Sequence, residues 1–311
     1  MHINDQRDRV RGPARAPSVV VVLLAAAALA LGAAGPAFGN SSPSLRILIT
    51  NDDGWRGANG ADTPLIVALR DALRAAGHRV TVVAPDSDQS GTGTRISLFR
   101  PLTLVNPGPS VWTVSGSPGD SVFLGTNVLF NTAKPDLVVS GINPGGNYSS
   151  LAIHSGTVGA ALSALELGIP AIAVSIDGST AQSVAAKDAA AAYTVRLIAA
   201  LAARGRRGRL LPDGVGLNVN YPAQTTPKKT VLTYQDPNSY FSWSYGNSTG
   251  AFGQPGVYNQ VFGAPTAAPS RGSDWEAITK GEISITPIDD DLTAHLPPAD
   301  GLLQFLTRVT P

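Results

Sequence analysis

The chain has 311 residues, 43% hydrophobic and 14% charged, enough apolar material for one large α/β domain or two small ones. Its 23 Lys and Arg against 22 Asp and Glu leave a formal charge of +1, which provides no global field for nucleic acid or anionic lipid. Cysteine is absent, which excludes disulfides, thiolate metal sites and a cysteine nucleophile.

The first 39 residues have the layout of a secretory signal peptide. Four arginines precede the run Val19-Val20-Val21-Val22-Leu23-Leu24, and apolar character continues to Ala34. Small residues at Ala37 and Gly39 fit cleavage before Asn40. The same run approaches spanning length, so an uncleaved anchor is the competing reading. Cleavage predicts a secreted or periplasmic protein with no stable membrane association.

Residues 45–50 read as a buried strand. Thr63-Pro64 opens a helix, with Thr63 as N-cap and Pro64 in the first turn. Leu65, Ala68, Leu69, Ala72, Leu73 and Ala76 form its apolar face, and Gly77 stops it. Val80–Ala84 is the second strand, ended by Pro85, giving a β-α-β unit. Short strand-like pieces follow at 102–105 and 111–114, and a helix is expected at 121–130. Leu137–Ser140 is a third core strand, 156–167 a helix, 171–175 a strand, 181–203 a long Ala-rich helix and 215–219 a strand. Alternating helices and near-continuously apolar strands predict an α/β fold: a Rossmann-like, mostly parallel sheet with helices on both faces. The core spans 45–222. Residues 223–272, rich in Gly, Ser, Thr, Tyr and Pro, read as loops and a projecting β-hairpin arm. A C-terminal return covers 273–311, with a strand at 283–288 and a short helix at 302–306.

The chemistry concentrates at strand ends. Asn51-Asp52-Asp53-Gly54 directly follows the first strand. Adjacent carboxylates repel and raise each other's pKa unless a cation relieves them. An ordinary polar turn also favours Asp, so the neighbouring segments decide. Ser90-Gly91-Thr92 follows the second strand, and Ser140-Gly141-Ile142-Asn143, leading to Asn147, follows the third. A parallel sheet brings all three to one edge. They offer oxygen but no His or Cys, a shell suited to Mg²⁺, Mn²⁺ or Ca²⁺. Ser155-Gly156-Thr157 opens a predicted helix, where free N–H groups favour an anion such as phosphate. His154 is a packing or surface histidine, with proton donation as the rival reading. A Walker A loop, a full Gly-x-Gly-x-x-Gly fingerprint after the first strand and a Gly-x-Ser-x-Gly elbow are all missing.

Taken together, these segments resemble the SurE family (survival protein E), metal-dependent 5′/3′-nucleotidases and acid phosphatases. The resemblance runs from Leu45 to His295. Its hallmarks are Ile47–Gly54, Val82-Val83-Ala84-Pro85 with Ser90-Gly91, Val139–Asn143 with Gly146-Asn147, Ser155-Gly156-Thr157-Val158, and Ser284–Pro287 with Asp291-Leu292-Thr293. It implies one divalent cation per subunit, Mg or Mn, held by Asp52, Asp53, Ser90 and Asn143. It places Asp52, Asp53 and Asn147 in catalysis, and Asn51, Ser155, Gly156 and Thr157 on the phosphate side. It implies homodimers or homotetramers supported by the arm, and nucleoside monophosphates or other small phosphate esters as substrates. An exported nucleotide-binding protein without turnover is the alternative. The chain departs from the family pattern at Gly116-Ser117-Pro118-Gly119-Asp120-Ser121, where Ser117 replaces Thr and Ser121 replaces Cys, and more broadly over 236–272.

Overall fold

The apolar run after Ser44 becomes the middle of a nine-stranded sheet. The computed structural model describes residues 43–293, apart from 58, 206–208, 248 and 250–252. The expected signal segment and the helix at 302–306 lie outside the described residues. The main-sheet strands are β1 (Arg46–Thr50), β2 (Arg79–Pro85), β3 (Leu104–Gly108), β4 (Val111–Val114), β5 (Leu137–Pro144), β6 (Ala171–Ile176), β7 (Gly216–Tyr221) and β8 (Thr230–Leu232), together with β11 (Ile283–Ile288). Their order is β3-β4-β2-β1-β5-β6-β7-β11-β8. The pairs from β4 through β7 are parallel, while β3 and β11 run antiparallel to β4 and β7.

Side-chain alternation along the strands sets up two cores. Ile47 and Ile49 of β1 and Val80 and Val82 of β2 face one side, with α1 (Pro64–Ala75) and α4 (Thr180–Arg204) packed over them. Leu48 and Val83 face the other, beneath α2 (Pro118–Leu124) and α3 (Gly156–Glu166). Ile47, Leu48 and Ile49 are wholly buried, which stabilises the fold by roughly 1.5–3 kcal/mol per side chain. Covering both faces explains why these strands lack a polar alternation.

Three expectations need adjustment. The helix expected at 121–130 starts earlier and ends sooner. Ser117 and Asp120 form a reciprocal capping box around Pro118, and the chain widens into a single π-turn at Gly125–Leu129. Gly125 permits this, because a Cβ there would meet Leu48 Cδ1 at 2.8 Å. Thr63 occupies the N-cap position of α1 but makes no side-chain cap. Its hydroxyl instead donates to the Gly54 carbonyl at 3.0 Å. The 223–272 stretch contains the hairpin arm, β9 (Ser242–Asn247) and β10 (Tyr258–Gly263), antiparallel with Trp243 opposite Phe262. It also contains β8, which joins the main sheet in parallel beside β11. A short helix, α5 (Asp274–Thr279), precedes β11.

Candidate active site at the carboxyl edge of the sheet

Chain leaving β1 turns sharply at Gly54, whose φ of +82° is open to glycine. A Cβ there would also meet Pro85 O at 3.1 Å and Ser87 O at 3.2 Å. Asn51 Nδ2 donates to Gly54 O at 3.0 Å, and Trp55 N donates to Pro85 O at 3.1 Å. Gln89 N donates to Asp52 O at 2.7 Å. These bonds stitch the Asn51–Gly54 turn to the loop that carries Ser90.

The two carboxylates are held differently. Asp52 is 3% exposed, and Thr157 donates to it twice, from Oγ1 at 2.7 Å and from N at 3.2 Å. Burial pushes the Asp52 carboxyl up, against those two bonds, and the Asp88 charge adds to the rise. Asp53 is partly buried, and its Oδ2 has no hydrogen-bond partner among the described residues. Burial first, then the charges of Asp52 and Asp88, push its carboxyl up to about 8. The start of α3 lies tight against Asp52: a Cβ on Gly156 would meet Asp52 Cβ at 2.8 Å and Oδ2 at 3.0 Å. Ser155 caps α3 by accepting from Val158 N at 3.2 Å, which leaves its hydroxyl proton as the donor it can offer.

Ser90 is exposed and donates to Asp88 Oδ1 from its hydroxyl at 2.6 Å and its amide at 2.9 Å. The loop after it crosses the start of α3, where Gly93 N donates to His154 O at 3.0 Å. Asn143 lies at the end of β5, its Nδ2 donating to Gly145 O at 2.7 Å. Asn147 is buried and clamped to the ends of β6 and β7. Its N donates to Asn220 Oδ1 at 2.7 Å, its Nδ2 to Ser175 Oγ at 2.8 Å, and its carbonyl accepts from Asn218 and Asn220. His154 closes the short 3₁₀ turn Ser149–His154, is exposed, and lies edge-on to Trp243 at 6.1 Å between ring centroids.

Thus Asp52, Gly156 and Thr157 are in direct contact, and Ser90 is one residue from the amide bound to Asp52. Ser90, Asn143 and Asn147 share the sheet edge with the carboxylates without bonding them. Two features are not singled out by the sequence reading. Asp88 adds a third negative charge that both Asp52 and Asp53 feel. Asn218 and Asn220 position Asn147, and an Asn-x-Asn pair within the fully buried β7 is the sequence signal that marks them.

The donor chemistry fits a hard cation. Six buried side-chain polar atoms lack a partner among the described residues, and four of them cluster around the end of β1: Thr50 closes the strand, Asn51 and Asp53 follow it, and Ser140 lies beside it in the middle of β5. Thr50 and Ser140 are neighbours in register. Buried oxygens without partners are costly, and a ligand bound at this edge would relieve them. No three His, Cys, Asp or Glu side chains converge on one point among the described residues. A cation here would therefore draw on amide and hydroxyl oxygens as well as carboxylates.

Comparison with known proteins follows the same segments. The family model for survival protein SurE matches residues 47–242. The chain is 39% identical over 268 residues to a protein named 5′-nucleotidase SurE 1 from Thermus thermophilus, covering 84% of this chain and 98% of that one. It is 37% identical over 262 residues to a 5′/3′-nucleotidase SurE from Escherichia coli, covering 81% and 92%. The crystal structure of SurE protein from Aquifex aeolicus superposes with a TM-score of 0.70 at 32% identity, covering 84% of this chain and all of that one.

Proposed function

Because the chain belongs to the SurE family, we propose that it is a divalent-cation-dependent phosphomonoesterase that hydrolyses nucleoside 5′- and 3′-monophosphates. The names of its relatives supply the substrate class. The observation that carries the reading is the set of buried oxygens around the end of β1 and the adjoining Ser140 of β5 that lack partners among the described residues, next to two carboxyls pushed up by burial.

Asp52, Asp53, Ser90 and Asn143 would hold one Mg²⁺ or Mn²⁺, which when bound polarises a phosphate oxygen. Thr157 fixes Asp52 in place with two hydrogen bonds. The Ser155 hydroxyl and the first turn of α3 offer donors and the positive end of a helix to the phosphate. Asn51 lines the same edge. Asn147, locked by Ser175 and Asn220, presents a rigid amide beside it.

The basic and apolar N-terminal segment supports export, and among the described residues no helix is long and apolar enough to cross a membrane. The aromatic side chains left exposed on the arm, Trp243 and Phe262 among them, support self-association. Phosphate release from 5′- and 3′-AMP, measured with and without Mg²⁺ or Mn²⁺, tests the activity. Turnover that needs the cation and is mostly lost in Asp52→Asn is the expected result. Binding of AMP without any phosphate release would favour the non-catalytic alternative.

A further inference from the structure

Directly after the Gly54 turn, Trp55 borders a cavity of about 280 Å³ whose lining includes neither Asp52 nor Asp53. Arg56, Arg70 and Arg74 line it, with Asp62 as its lining acid and the Pro107–Pro109 turn as the facing wall. Arg70 and Arg74 lie one helical turn apart on α1 and so share a face.

The arginines are held in place but not saturated. The Arg70 guanidinium carbon lies 5.3 Å from the centre of the Trp55 ring, a cation–π stack that fixes its plane. Arg70 Nε donates to Asp71 at 2.7 Å, which occupies one of its five N–H donors. Arg56 Nε meets Asp62 at 3.6 Å, and Arg74 reaches the Val80 carbonyl at 3.4 Å. Burial, and then the charge of Arg70, hold Arg74 below its usual range, so the two cations are close enough to repel. Three arginines against Asp62 in the lining and Asp71 paired with Arg70 leave a net positive charge of about one and spare planar donors. Such a set matches a phosphate group, which arginine recognises through paired N–H bonds.

We propose that the Arg56–Arg70–Arg74 cavity is a second anion site that binds a small phosphate-bearing molecule, distinct from the carboxylate edge. The site is formed by α1 and two loops. It touches neither Asp52 nor Thr157 and does not depend on the proposed catalysis. Free phosphate and a phosphorylated small molecule present the same chemistry, so both serve as probes.

Calorimetric titration of the metal-free full chain, in EDTA, uses inorganic phosphate in one arm. The other uses 3,4-dihydroxybutylphosphonate, an analogue of glycerol 3-phosphate with no cleavable ester bond. At least one probe should bind, and that binding should weaken about tenfold or more in Arg70→Gln/Arg74→Gln, from the loss of charge-assisted bonds. Binding should persist in Ser155→Ala. The tighter probe identifies the source of the anion. Arg74→Gln alone, at an exposed side chain, gives the same readout if the double variant does not fold. Failure of both probes to bind, or isotherms unchanged by the arginine substitutions, would overturn the proposal. Loss of binding in Ser155→Ala with none in the arginine variants would assign the anion to the α3 edge instead. Since no turnover is measured, failure here is separate from failure of the phosphatase reading.

Discussion

Replacing Asp53 by Asn separates what this carboxylate does for stability from what it does for function. In the metal-free protein its pKa is pushed from 3.8 up to about 8. The folded state therefore holds this proton more tightly than the unfolded state. The sign follows: stability is greatest below the unfolded pKa, falls as pH climbs from about 4 to about 8, and then levels off. At about 1.4 kcal/mol per pKa unit, the full change from 3.8 to about 8 is about 6 kcal/mol, an upper bound for a partly buried group. Asp52, also pushed up, adds in the same direction. Asn at position 53 cannot ionise and removes its share. Urea denaturation in EDTA at several values between pH 5 and pH 8 measures this directly. The variant should gain on wild type by about 1 kcal/mol per unit. Saturating Mn²⁺ at pH 7.5 should narrow the gap between the two proteins. A cation at a hundred times its Kd stabilises wild type by about 2.7 kcal/mol and the variant by less, and turnover should fall by more than about a hundredfold. Parallel pH curves for the two proteins, with equal stabilisation by the cation, would refute the reasoning.

Thr157→Val keeps the shape but removes the 2.7 Å bond to Asp52, leaving a buried carboxylate with one donor fewer. It should cost about 1–3 kcal/mol in urea denaturation and weaken Mn²⁺ binding in calorimetry. Gly156→Ala forces a methyl to within 2.8 Å of Asp52 Cβ. It should depress kcat more than KM while circular dichroism stays unchanged, because the clash displaces Asp52 and leaves the cores intact. Asp236, wholly buried, accepts from Asn238 N, Ser270 N and Ser270 Oγ. Asp236→Ala should cost about 3 kcal/mol, and hydrogen exchange should accelerate first at 236–272, where those donors lose their acceptor.

The sheet core was legible because its strands are buried on both faces and so read as unbroken apolar runs, as Ile47-Leu48-Ile49 shows. The polar segments at the carboxyl edge of the sheet were legible because they fall directly after such runs. What sequence reading missed depends on side chains that act at a distance along the chain. Thr63 looks like an N-cap by position, yet its hydroxyl goes to Gly54, because the β1 turn lies within reach and no local rule knows that. Asp88 looks like loop polarity, but the Gln89–Asp52 backbone bond draws its loop against the carboxylate pair. The π-turn begins at Gly125, which packs so closely on Leu48 and Val83 that a Cβ would not fit, a tertiary constraint with no local signature. Arg70 and Arg74 lie off the apolar face of α1 and carry no local signal of a cavity; the β3–β4 turn that lines it comes from far along the chain.

The adjacent carboxylates are chemically alike, but the fold gives them unequal tasks. Asp52 takes the donors at the start of α3, so the positive end of that helix is already partly committed to a protein carboxylate. This bond, with that of the Thr157 hydroxyl, opposes the burial that raises the Asp52 pKa and restrains the side chain. Asp53 has no comparable donor on Oδ2 among the described residues, and its charge state follows what else enters the edge. Asp52 is then the fixed post and Asp53 the responsive one. Metal-free protein should show Asp53, not Asp52, as the carboxyl whose ¹³C shift moves most when Mg²⁺ is added at pH 7. An equal response from both would mean that the Thr157 clamp does not hold Asp52 apart from its neighbour.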